Sequence, residues 1–156
     1  MKKPTLDDGQ KDAISKMKPG CILNGDVGSG KSRTALAYYH DNFSTLPLYI
    51  ITTAKKRDSK EWEEECAPWK IIPIVDSWNN IKKYSDLNNA FVIFDEDRVT
   101  GSGTWARTFI KISKHNKWVI LSATPGDTWS DYWSVFVANG FYRNKTEFER
   151  EHVVWN

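Results

Sequence analysis

The sequence predicts an α/β domain of three layers, a parallel sheet with helices on both faces, and three observations predict it. Short apolar runs recur at 21–23, 48–52, 71–75, 91–94 and 118–121, separated by segments of helical spacing or composition; strands alternating with helices build a parallel sheet. The stretches Phe91-Val92-Ile93-Phe94 and Val119-Ile120-Leu121 are apolar throughout rather than alternating, as in strands covered on both sides. Directly after the first run, Gly25-Asp26-Val27-Gly28-Ser29-Gly30-Lys31-Ser32 spells G-x-x-x-x-G-K-S at a strand-to-helix turn.

In chain order, a first helix is expected over 7–17, stopped by Pro19-Gly20. The strand at 21–23 enters the glycine-rich turn, and 31–42 continues it as a helix through Thr34-Ala35-Leu36-Ala37-Tyr38. Strand 48–52 precedes a helix over 58–66 that ends before Pro68, and strand 71–75 precedes a helix over 78–84. Strand 91–94 leads to a helix over 104–114, and strand 118–121 to one over 128–139 that Gly140 closes. A last helix over 146–154 opens on Glu147, Glu149 and Glu151, which suit the positive end of a helix. No repeat, low-complexity segment or long linker divides the chain, so 1–156 is expected to be a single domain.

A chain of 156 residues can bury about two-thirds of its unfolded surface and needs no disulfide or metal to hold a core. The two cysteines, Cys21 and Cys66, lack C-x-x-C spacing and read as reduced structural thiols, consistent with a cytoplasmic protein. Lys2-Lys3 is followed by no apolar stretch of a leader, and no segment approaches membrane-span length, so no membrane partner is expected. A net charge of +2 does not by itself point to nucleic acid; Lys55-Lys56-Arg57 and Lys82-Lys83 read by default as solvated helix faces. Eight Trp, six Tyr and seven Phe are more than usual. Trp105, Trp129 and Trp133 stand among polar neighbours, where ordinary packing is expected ahead of base stacking.

Three strand ends carry candidate chemistry. Gly25, Gly28, Ser29 and Gly30 let backbone N–H groups turn inward on a polyphosphate, the following helix directs its positive end there, and Lys31 reaches the β/γ-phosphates. Ser32 is placed to ligate Mg²⁺. The strand Val92-Ile93-Phe94 ends in Asp95-Glu96, at the edge of a parallel sheet where ligands bind. Asp95 suits Mg²⁺, and Glu96, turned by one residue, suits the water that attacks a γ-phosphate. The strand at 118–121 ends in Ser122-Ala123-Thr124-Pro125, where the hydroxyls of Ser122 and Thr124 can bond a carboxylate and sense the γ-phosphate state.

At these residues the chain resembles the helicase superfamily that includes the DEAD/DEAH-type enzymes and the Swi/Snf-type DNA translocases, with P-loop, D-E-x-x and S-A-T in the expected order. The resemblance is nearest to the Swi/Snf-like branch. Thr52-Thr53-Ala54-Lys55 with Glu61-Trp62-Glu63-Glu64-Glu65 is similar to its strand, loop and Q/E-W-x-x-E helix, and Val75-Asp76-Ser77-Trp78 is similar to its T/S-Y segment. Asp131-Tyr132-Trp133-Ser134-Val135-Phe136 and Glu147-Phe148-Glu149-Arg150-Glu151 resemble the stretch after S-A-T in that branch, so the likeness spans nearly the whole chain. Asp97-Arg98 stands where the commoner signature has Ala-His, Thr100-Gly101 where a Lys-Asn pair is usual, and Gly126-Asp127 where Ile-Gln is usual.

The resemblance implies a RecA-like fold, ATP with Mg²⁺ as ligand, an adenine-reading role for Gln10, and nucleic-acid backbone contacts around Thr53, Lys55 and Ser77. DNA is the nucleic acid expected, although the sequence does not decide between DNA and RNA, and compact size and lean motifs suggest a phage or bacterial source. Such motors have two lobes, and this length has room for the first; a second RecA-like lobe, from the same gene or a separate chain, would supply the arginine that stabilises the transition state. Arg98, Arg107 and Arg143 read instead as surface residues. Binding of nucleotide with weak turnover is expected from one lobe. Two other readings stand beside it: a DNA-packaging-type P-loop ATPase, and a non-cycling, nucleotide-gated module that binds DNA or a partner.

Overall fold

The computed structural model describes residues 6, 8, 11, 14, 17, 22–24, 30–95 and 104–122, with backbone alone at 22–24, 104, 106 and 122. Five strands, β1 (Ile22–Asn24), β2 (Leu48–Thr52), β3 (Ile74–Ser77), β4 (Phe91–Asp95) and β5 (Lys117–Ser122), form one parallel sheet in the order β1-β5-β4-β2-β3. Although β5 is last in the chain among these strands, it lies between β1 and β4. Its register sets Ser122 beside Asn24 and Leu121 beside Asp95. The strand that leads into the glycine-rich turn, the strand ending in Ser122 and the strand ending in Asp95 thus reach the same edge side by side.

Helix α1 (Lys31–Phe43) covers one face together with α3 (Glu61–Cys66) and the 3₁₀ turn Ala67–Trp69; α4 (Thr104–His115) and the 3₁₀ segment Trp78–Tyr84 cover the other. The alternation of a strand decides which core each side chain joins. Leu48, Ile50, Phe91, Ile93, Val119 and Leu121 pack with Leu36, Trp62 and Cys66. Ile51, Val92, Phe94, Trp118 and Ile120 pack with Trp78, Phe109 and Ile112. The second core is built on rings at right angles, Phe94 on Phe109 at 4.8 Å and Phe109 on Trp118 at 4.9 Å, which pairs ring edges with faces. Of the first expected helix, Asp8, Lys11 and Ile14 are helical, and Leu6, Ile14 and Met17 pack against the first core.

Three elements differ from the sequence expectation. The strand expected over 71–75 begins at Ile74 and runs to Ser77, because Pro73 has no N–H to give to a ladder. Ile72, 95% exposed, and Ile74, 47% exposed, consequently lie at the sheet margin. The helix expected over 58–66 is two helices, α2 (Ala54–Ser59) and α3, divided at Lys60, whose φ of 64° is left-handed. It starts early because Thr53 Oγ1 accepts from Lys56 N at 3.2 Å and caps α2. The segment 78–84 is 3₁₀ rather than α. The expected helices over 128–139 and 146–154 lie outside the described residues. Among the described residues no helix is long and apolar enough to cross a membrane.

The turn out of α4 is held by one side chain. Asn116 Nδ2 donates to the carbonyls of Ile112 at 2.7 Å and Leu87 at 2.9 Å, while its Oδ1 accepts from the N–H of fully buried Ala90 at 3.0 Å. Removing a partner from a buried donor costs about 1–3 kcal/mol. Asn116→Ala is therefore expected to lower stability by about 2 kcal/mol, seen as a lower denaturant midpoint with the slope unchanged; an unmoved midpoint would refute the assignment.

Candidate functional site

The C-terminal edge of the sheet collects the candidate residues. Gly30 has φ 82° and ψ 22°, a left-handed conformation in which a Cβ is unfavourable, and from it the chain enters α1. Its carbonyl accepts from both the N–H and the hydroxyl of Thr34, each at 3.0 Å, fixing the first turn. Lys31 and Ser32 are the first two residues of that helix and are half-buried.

Asp95 ends β4 on the α1 side of the sheet, two residues beyond Ile93, and is 5% exposed. A buried carboxylate is tolerated only when bonded. Its Oδ2 accepts from Thr52 Oγ1 at 2.8 Å, from Trp62 Nε1 at 2.9 Å and from Lys56 Nζ at 3.4 Å. From the opposite face, Trp78 Nε1 donates to the Asp95 carbonyl at 2.9 Å. Among the described residues Oδ1 accepts no hydrogen bond. Among them, too, no group of three or more His, Cys, Asp or Glu forms a protein-only metal cage. One carboxylate and one hydroxyl, with phosphates and waters completing the shell, is the donor set that suits Mg²⁺. A cleft of about 480 Å³ opens between α1 and α3, lined by Ser32, Arg33, Lys56, Trp62 and the carboxylates of Glu61, Glu64 and Glu65.

Two strands further out, on β3, Asp76 is the second buried acid among the described residues, 6% exposed. It accepts from Tyr84 OH at 2.6 Å, Ser77 N at 2.7 Å, Asn80 Nδ2 at 2.8 Å and Arg57 Nη1 at 3.3 Å, with Lys83 Nζ at 3.6 Å. Burial works upward on its pKa, but the bonds from Tyr84, Asn80, the Ser77 N–H and Arg57 outweigh it and bring the carboxyl down to about 2. Burial, and then the bond to Asp76, push the Tyr84 phenol up. Cys66 is a buried free thiol, pushed up to about 12 by burial and then by Glu63 and Glu65.

Of the residues expected at a nucleic-acid interface, Thr53 caps α2 with its hydroxyl, Lys55 is exposed, and Ser77 is 2% exposed with Oγ accepting from Arg57 Nη1 at 3.2 Å. Thr52 and Ser77 are register partners, so the two segments adjoin. The basic run is not uniformly solvated: Lys56 turns to Asp95 and Arg57 to Asp76, leaving Lys55 outward. Trp105 is half-buried, its ring 6.0 Å from Trp78, and Arg107 is exposed. Gln10, Gly25, Gly28, Ser29, Glu96 and Thr124 lie outside the described residues, as do Trp129, Trp133, Arg98 and Arg143; for Ser122 the backbone alone is described. Sequence reasoning missed Thr52, Lys56, Trp62 and Trp78 as partners of Asp95. The E-W-x-x-E pattern singled out Trp62, but no local signal could join it to a carboxylate 33 residues away.

No protein-family model matches the chain, and no curated protein does. Solved structures do. The chain matches the Sulfolobus solfataricus SWI2/SNF2 ATPase core domain over 97% of its own length and 38% of that chain, with TM-score 0.75 and 18% identity. It matches the Pyrococcus furiosus Hef helicase domain over 86% of its length and 37% of that chain, with TM-score 0.63 and 17% identity. The fold is thus the RecA-like α/β fold of these domains, as the sequence led one to expect, and the chain spans less than two-fifths of either.

The Asp76 cluster has a signature in acid. Because its folded pKa of about 2 lies below the ordinary 3.8, its stabilisation is complete above the unfolded value and is lost as pH falls from about 5 towards 2. The difference corresponds to about 2 kcal/mol. In chemical denaturation across that window, the native chain should lose about 2 kcal/mol more than Asp76→Asn; parallel pH profiles would contradict the assignment.

Proposed function

We propose that this chain is the first RecA-like lobe of a nucleic-acid-dependent ATPase, a helicase or double-stranded DNA translocase whose second lobe completes the site. The observation that carries the reading is Asp95, a buried strand-end carboxylate whose Oδ2 is held by Thr52 and Trp62 and whose Oδ1 accepts no hydrogen bond among the described residues, two strands from β1 and its glycine-rich turn. The RecA-like fold shared with a SWI2/SNF2 ATPase core and a helicase domain supports it.

Gly25, Gly28, Ser29 and Gly30 give backbone N–H donors to the ATP phosphates, Lys31 pairs with the β- and γ-phosphates, and Gln10 reads the adenine. Ser32 and Asp95 would hold Mg²⁺, which when bound neutralises charge developing on the phosphates. Glu96 orients the attacking water and accepts its proton. Ser122 and Thr124 sense whether the γ-phosphate is present. Nucleic acid runs along the ends of β2 and β3, where Thr53 and Lys55 meet phosphates through N–H, hydroxyl and ammonium groups that give little sequence specificity, while Ser77, 2% exposed, acts from beneath by holding Arg57. Exposed Lys55 carries most of the electrostatic share. Lacking a transition-state arginine from a second lobe, the lobe binds ATP better than it turns it over; that residue is worth a factor on the order of 10³ or more.

Calorimetric titration with MgATP is the direct test. Lys31→Ala should weaken binding about ten- to a hundredfold, the value of a bond between charged groups, while Glu96→Gln should bind as the parent does and lose whatever DNA-stimulated turnover the parent shows. Absence of ATP binding by the parent would overturn the reading. Duplex binding should fall steeply with salt, and Lys55→Ala should reduce the slope of log K against log salt by about one unit; binding indifferent to salt would remove the proposed interface.

A further inference from the structure

Two indoles meet at one aspartate. A buried indole N–H has to find an acceptor, and Trp62, 2% exposed, and Trp78, 3% exposed, both find theirs on Asp95 from opposite faces of the sheet. Trp62 donates to the side-chain Oδ2 and Trp78 to the main-chain carbonyl, each at 2.9 Å. Neither belongs to the P-loop, D-E or S-A-T segments, and apolar packing alone would not require both to aim at the same residue.

We propose that Trp62 and Trp78 are positioning residues that clamp the metal-binding carboxylate and tie it to the strand ends that grip nucleic acid. The inference rests on the reading of Asp95 as a Mg²⁺ ligand. With Oδ2 committed to Trp62 and Thr52, rotation of the carboxylate is stopped and Oδ1, which accepts no hydrogen bond among the described residues, is the oxygen turned to the cation. With the carbonyl held by Trp78, the main chain at the end of β4 is fixed as well. Each indole is also attached to a nucleic-acid segment. Trp78 directly follows Ser77 and stacks on Phe94 at 5.6 Å, and Trp62 shares its acceptor atom with Lys56, the neighbour of Lys55. A backbone bound at 53–55 or at 77 thereby acts on the geometry of Asp95 without passing through Ser122 or Thr124.

The test uses the native chain labelled with ¹⁵N at its tryptophans, and Trp62→Phe and Trp78→Phe, which keep most of the apolar volume and delete the donor. The Trp62 and Trp78 indole resonances, each assigned by its loss in one variant, should be slow to exchange with solvent and should shift when Mg²⁺ is added to the ATP complex. ATP binding in EDTA by Trp62→Phe should stay within about twofold of the parent, whereas the Mg²⁺ concentration for half-saturation should rise about tenfold, as for loss of one bond to a charged group. Trp78→Phe should lower the DNA-stimulated kcat with KM for ATP unchanged, since its bond holds the main chain at the end of β4 rather than the nucleotide. A Trp62→Phe chain with the parent's Mg²⁺ dependence overturns the clamp; so do indole resonances of the native chain that ignore Mg²⁺, an observation that stands even if a variant fails to fold. A parent that binds no ATP in EDTA or in Mg²⁺ overturns the proposed function first, and the clamp with it.

Discussion

The structure is organised around a carboxylate that is buried at a strand end and must be surrounded by hydrogen-bond donors. β4 is the central strand of the sheet, its residues Phe91 to Phe94 almost wholly inaccessible, and Asp95 is its next residue. Taking that charge out of water is costly unless donors surround it. The donors come from 43, 39 and 33 residues away for the side chain and 17 for the carbonyl, so β2, α2, α3 and the segment after β3 all converge on this strand end. Any arrangement of these elements that left Asp95 with fewer partners would carry an unpaired buried charge. Local packing and the polar edge therefore select the same topology.

The aromatic richness is a consequence of this arrangement. At the apolar centre Phe94, Phe109 and Trp118 fill the α4 face in edge-to-face contact, and Tyr38, Tyr39 and Phe43 crowd around Phe91 on the α1 face. Nearer the C-terminal edge the requirement changes to a side chain with an apolar body and one polar tip, which Trp satisfies and Phe does not. Trp62 and Trp78 close the two cores and with the same rings satisfy Asp95, Trp62 at its carboxylate and Trp78 at its main-chain carbonyl.

The basic segment at 55–57 shows the same economy. Thr53 starts a six-residue helix, Lys60 ends it in a left-handed turn, and within it successive side chains point about 100° apart. One lysine faces outward, the next reaches Asp95, and Arg57 reaches Asp76 and Ser77. A run of three cations that reads as one solvated face is in fact split between solvent and two buried acids. The Asp76 cluster pins β3 to the 3₁₀ segment behind it through Asn80 and Tyr84, which is why an edge strand can end in Asp-Ser rather than in apolar residues.

By itself the sequence determined what depends on neighbours along the chain. Continuous apolar runs announced β2, β4 and β5, G-x-x-x-x-G-K-S announced the start of α1 after Gly30, and the step from Phe94 to Asp95 marked the end of the central strand. Short-range chemistry misled where a backbone detail intervened, the missing N–H of Pro73 that delays β3 and the left-handed Lys60 that splits a helix, and it did not distinguish the 3₁₀ segment 78–84 from an α-helix. Tertiary structure alone decided that β5 lies between β1 and β4 and that two tryptophans from distant segments share one aspartate. It also decided which cations turn inward. The physical reason is that strand order and the pairing of buried charges are settled by burial across the whole domain, where a donor's distance in space bears no relation to its distance in sequence.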